Sequence, residues 1–258
     1  MRLAAAVLIL AGLIQQQDSP LVRAQAKVDE ARAAEKAGGD FDAPAKAGLA
    51  AFDEAVKADP SSVAARIGRA DLKAAIANWW QARGDFTKRT QLESAIADYD
   101  EALKLEPGRV EAIAGRGYAK FKFQVSRFFA RVHVDELFKA AFEDIDKAVS
   151  LRPGDASLHI LRGDALLEKG KYGRYRADPH KPSAEAAIAA YQEAIRLDPQ
   201  KADALAARIA AAGKLADSPI AVEDKGAFIV WSKSWELAKR EAQIRSVPIF
   251  FYVSGGAG

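Results

Sequence analysis

Residues 95–107 read AIADYDEALKLEP, and three further stretches repeat the arrangement: 48–60 (GLAAFDEAVKADP), 141–153 (AFEDIDKAVSLRP) and 187–199 (AIAAYQEAIRLDP). Each places a small residue, a bulky one four positions on, alanine three after that and proline five further, as in Ala95, Tyr99, Ala102 and Pro107. Steps of four and three return to one face of an α-helix, where small residues admit a close neighbour and the bulky one fills the gap. Proline lacks the N–H and disfavours the α conformation before it, so the helix stops there. Each stretch is the second helix of a repeating unit.

The prolines at 60, 107, 153 and 199 are 47, 46 and 46 residues apart. Arg69, Arg116, Arg162 and Arg208 run at the same intervals, and a small residue follows the first three: Ala70, Gly117 and Gly163. Two markers in step define a first helix packed tightly on the second, a helical hairpin.

This pattern resembles the tetratricopeptide repeat family, through Gly117 and Gly163 in the first helix and the Ala, aromatic, Ala, Pro series in the second. The resemblance covers residues 25–214 and implies a right-handed α-solenoid that binds proteins or peptides. The family repeat is about 34 residues, so each unit here carries about a dozen extra between its two helices. An arginine at the aligned position is a familiar variant in the family, where it spans adjacent helices; an anion-binding ladder is the alternative.

Half of the 258 residues are apolar and 28% are charged, enough for a sizeable core. A net charge of +3 does not imply nucleic-acid binding. Without cysteine, disulfides, thiolate metal sites and thiol chemistry are excluded within the chain. Arg2 precedes an apolar run over 3–14, shorter than a bilayer core requires, and Val22, Arg23 and Ala24 offer a cleavage site. Residues 1–24 are expected to be a signal peptide, with export to the periplasm or cell envelope; an uncleaved anchor is the alternative.

A helix over 25–37 and its partner over 45–58 form the first pair, a polar N-terminal cap. In the second unit the first helix covers 63–82, and the Gly84-Asp85-Phe86 turn comes seven residues late, so that two added helical turns carry Trp79 and Trp80. The second helix covers 90–105. The third unit has no glycine or proline between Gly117 and Ala141, so both helices lengthen around Phe121, Phe123, Phe128 and Phe129, with Asp135 as an N-cap. In the fourth, Gly170-Lys171-Tyr172 stands in register as a turn, leaving the insertion as a loop over 173–183 before helices over 184–197 and 202–215.

Residues 217–258 read as an α/β tail, with strands over 228–231 and 247–253 and a helix over 232–245. Trp235, Ala238, Ala242 and the following VPIFFYVS resemble the opening of a thioredoxin-like domain, without that family's cysteine pair. The expected organisation is a signal peptide over 1–24, a repeat domain over 25–216 and this tail over 217–258.

His133, His159 and His180 have no metal-ligand spacing, and no nucleophile, phosphate or dinucleotide motif occurs. Neighbouring acids such as Asp53 with Glu54, or Glu143 with Asp144, read as solvated charge. No catalytic, metal or cofactor residues are expected. The expected function is a non-enzymatic protein-interaction scaffold; the alternative is the client-binding part of a thioredoxin-like protein whose redox domain is truncated. The resemblance places Ile67, Asp71, Glu111, Tyr118, Phe121, Ile160, Asp164 and Leu167 on the partner-binding groove. If all inserts leave along one edge, Arg83, Arg89, Arg127, Arg131, Arg174, Arg176 and Lys181 form a basic rim that suits an acidic partner; alternatively, the aromatic residues among them glue neighbouring inserts together. No nucleic-acid partner is expected, and membrane contact only through an uncleaved N-terminus or the rim.

Overall fold

A computed structural model describes residues 19–85, 87–126, 134–175 and 179–218. The described residues form nine α-helices and one short 3-10 turn, with no strand among them: an all-α fold. The α/β tail beyond Ser218 lies outside the described residues. The chain divides near Leu158 into two compact units.

In the first unit, α1 (Pro20–Lys36) packs on α2 (Asp42–Ala58), α3 (Val63–Gln81) on α4 (Arg89–Leu105), and α5 (Val110–Ser126) on α6 (Val134–Leu151). Consecutive pairs also touch, α2 with α3 and α4 with α5. The α1 helix starts five residues before the sequence reading puts it. Ser19 caps it by accepting the Val22 N–H at 3.3 Å, and Pro20 opens the first turn, where a missing N–H costs nothing. The helix therefore runs through the expected cleavage position, and Ala24 is buried against α2 and α3.

The second-helix aromatics Phe52 and Tyr99 lie where glycines in the first helix of the following hairpin admit them. A Cβ built on Gly68 would stand 2.4 Å from the Phe52 ring, and one on Gly115 would stand 2.5 Å from Tyr99. Ordinary contact begins about 1 Å further out, so only glycine lets these helices approach. The expected extension of α3 is present: it continues through Trp79 and Trp80, and Gly84, at φ +81°, turns the chain. The α6 helix begins at Val134, which puts Asp135 inside the helix instead of at its N-cap.

In the second unit, α7 (Ala156–Tyr175) is followed by α8 (Lys181–Leu197), the 3-10 turn Pro199–Lys201 and α9 (Ala202–Ala216), which packs on α8. Here the sequence reading needs correction. Gly170-Lys171-Tyr172 is not a turn: α7 runs through it to Tyr175, and α8 starts at Lys181 instead of 184. Gly170 serves close approach instead, since a Cβ there would lie 2.9 Å from Leu215 Cδ2 of α9. Pro182, in the first turn of α8, tolerates an early start because its N–H is not needed there.

Candidate functional site

Three of the four aligned arginines, Arg69, Arg116 and Arg208, are bonded to carboxylates. Arg69 on α3 grips Asp98 on α4 through Nε (2.9 Å) and Nη2, and its Nη1 donates to Asp53 on α2 at 2.8 Å. Lys73, one turn on, donates to Asp98 at 2.7 Å and to the Ser94 hydroxyl at 2.8 Å. The next hairpin repeats this. Arg116 on α5 grips Asp144 on α6 at 2.8 and 2.6 Å and reaches back to Asp100 on α4 at 2.7 Å, while Lys120 donates to Asp144 at 2.7 Å. Each arginine thus joins the second helix of its own hairpin to that of the hairpin before it.

Asp98 and Asp144 are each only 6% exposed, so Asp144 is not the solvated charge its sequence neighbourhood suggests. Burial alone would raise the Asp144 carboxyl, but the hydrogen bonds from Arg116 and Lys120 outweigh it and hold the group below the usual carboxylate range. The fourth hairpin carries Leu166 and Ala190 where the earlier ones carry this lysine and aspartate. In the second unit Arg208 pairs instead with Asp164, at 2.9 and 3.0 Å, in a partly exposed contact.

A second polar pattern follows the tyrosines of the second helices. The buried Tyr99 hydroxyl donates to Asp71, and Tyr191 donates to Asp164 at 2.8 Å. Burial first, and then the adjacent carboxylate, push both phenols well above their ordinary range, so both remain hydrogen-bond donors. In the third hairpin the second-helix residue is Ile145, which has no hydroxyl, and the first-helix position holds Tyr118 instead of aspartate.

The residues expected on the groove therefore fall into separate environments. Ile67, Phe121 and Leu167 are buried, and Phe121 stacks on Phe138 at 4.5 Å between ring centres. Asp71 is exposed and Asp164 half-buried, each accepting a tyrosine hydroxyl. Glu111 is exposed between Arg109 (2.8 Å) and Arg152 (2.7 Å), while Tyr118 and Ile160 are half-buried.

Of the expected rim, Arg127, Arg131 and Arg176 lie outside the described residues. Arg83 and Arg89 are exposed, Arg174 is half-buried, and Lys181 is exposed 3.8 Å from Glu185. Tyr172 is buried. Trp79 stacks on Phe41 of the α1–α2 turn at 5.7 Å, and the Trp80 indole N–H donates to Asp42 at 3.3 Å. The aromatics of this insert thus fasten it to the first hairpin.

His180 falls in the stretch expected to be the 173–183 loop, yet it is 1% exposed, with Nε2 3.1 Å from both the Ser218 carbonyl and its hydroxyl. Nothing in its sequence surroundings signals this burial. Among the described residues no helix is long and apolar enough to cross a membrane, and no cluster of three or more His, Asp or Glu side chains could hold a metal ion.

No family model matches the chain, and a search of curated proteins returns no match.

Proposed function

We propose that this chain is a non-enzymatic protein-interaction scaffold of the tetratricopeptide type, its hairpins stacked as a right-handed α-solenoid and the chain exported to the periplasm or cell envelope. The observation that supports this reading is the recurrence of one arginine–lysine–aspartate clamp, in register, in two successive hairpins. Stacked repeats are held by such nearest-neighbour contacts and leave their helix faces available to partners. Of the positions expected on the groove in the first unit, Asp71 and Glu111 are exposed and Tyr118 is half-buried; Glu111 and Tyr118 lie together on α5. Glu111→Lys with Tyr118→Ala should remove partners captured from a cell-envelope extract by crosslinking, while circular dichroism stays unchanged. Capture that is indifferent to both substitutions sinks the scaffold reading at this face.

A further inference from the structure

The tip between α3 and α4 gathers Arg83, Lys88 and Arg89 against one acid, Asp85. None of the three cations forms a salt bridge with another described residue, whereas Arg69, Lys73, Arg116 and Lys120 are all paired. Two of them are held in place by aromatic faces. The Arg83 guanidinium lies 3.6 Å above the centre of the Trp79 ring and donates to the Trp79 carbonyl at 3.0 Å, and the Lys88 ammonium lies 5.5 Å from Trp80. The rings are themselves fixed by Phe41 and Asp42, as described above.

The nearby acids are already engaged. Asp85 accepts the Thr87 N–H at 2.8 Å, Asp40 accepts the Asp42 N–H at 2.8 Å, and Asp42 pairs with Lys46. The α4 helix begins here with no side-chain cap and no acid in its first turn, so its positive dipole end adds to the same field. The tip is therefore a preordered surface with an excess of positive charge, its three cations outnumbering Asp85, and stacked cations lose little freedom when an anion arrives.

We propose that this tip docks an acidic polypeptide segment, whose carboxylates bridge Arg83, Lys88 and Arg89. The inference deepens the scaffold reading and rests on it. A protein partner is favoured over a lipid surface because both tryptophans are half-buried against the first hairpin, and Arg83 lies across Trp79. Membrane-surface helices instead present their apolar rings outward.

The test titrates the full chain with an oligo-glutamate peptide, read by tryptophan fluorescence and calorimetry. Binding should weaken at least about tenfold in R83E/K88E/R89E, and in the wild type it should weaken as salt rises from about 50 to 300 mM. Lys181→Glu should leave it unchanged. Arg83→Gln with Arg89→Gln, a milder pair, should show a smaller loss at unchanged helicity, separating a local effect from misfolding. Wild-type and triple-variant chains that bind the peptide alike, or a wild type that ignores it, overturn the inference. So does binding to phosphatidylserine vesicles without peptide binding, which would reassign the tip to a membrane. None of these outcomes touches the scaffold reading, which is decided by the groove substitutions.

Discussion

Arg116 and Asp144 meet through two parallel hydrogen bonds, Nε to Oδ2 at 2.8 Å and Nη2 to Oδ1 at 2.6 Å, with Lys120 closing the remaining side of the carboxylate. Asp144 is the buried centre of this cluster, while Asp100, the other acid on Arg116, is about half exposed. Asp144→Asn strands two cations beside a neutral amide and should cost about 2 kcal/mol. Asp100→Asn removes a solvent-screened contact and should cost under about 1 kcal/mol. Urea unfolding of both variants checks the ranking; equal losses would show that burial does not set the strength of the clamp.

The same carboxylate makes stability depend on pH. Its folded-state pKa is depressed, so its contribution is present above the unfolded value, about 3.9, and is lost as pH falls through the folded value. Wild-type stability should therefore decline more steeply than that of Asp144→Asn below about pH 4. Denaturation midpoints collected between about pH 2.5 and 6 would give parallel curves if Asp144 carried no such linkage.

Tyr99 and Asp71 offer a double-mutant cycle. Tyr99→Phe gives up one hydrogen bond and should cost about 1 kcal/mol, whereas Asp71→Ala deprives a buried hydroxyl of its acceptor and should cost about 1–3 kcal/mol. Together they should cost less than the sum, because the second change removes the group that the first one strands. Strict additivity would mean that the hydrogen bond contributes nothing.

Two glycine-to-alanine substitutions should have opposite signs. At Gly115 the new methyl would meet the Tyr99 ring at 2.5 Å, and the overpacking, about 1–3 kcal/mol, exceeds the helix-propensity gain of about 1 kcal/mol. At Gly213 on α9 nothing lies within 4 Å, so the propensity gain should appear as added stability. Thermal melts that move in the same direction for both would contradict this account.

The hairpins are legible in the sequence because each helix carries its packing face and its stop signal locally, as in Ala95, Tyr99, Ala102 and Pro107. Trp79 and Trp80 fell on an extended α3 because the delay before Gly84 is close to two helical turns. Gly170 misled because glycine serves both turns and close helix approach, and only the position of Leu215 distinguishes them. The clamp was half visible. The arginines stood out by their period, and Asp98 and Asp144 share it, but an acid on a helix surface reads as solvated until the lysine and arginine facing it are known. Burial of His180 depends on Ser218, 38 residues away, which no local pattern encodes.

Because Arg69 and Arg116 each hold one acid of their own hairpin and one of the hairpin before, these two segments present matching plug and socket. A second copy of residues 63–109 spliced in after Arg109 would find Asp100 waiting for its arginine and would offer its own copy of Asp100 to Arg116. Every clamp arginine in the lengthened array would then have a carboxylate in its own hairpin and one in the hairpin before, so this junction is where the chain can grow by whole hairpins without redesign.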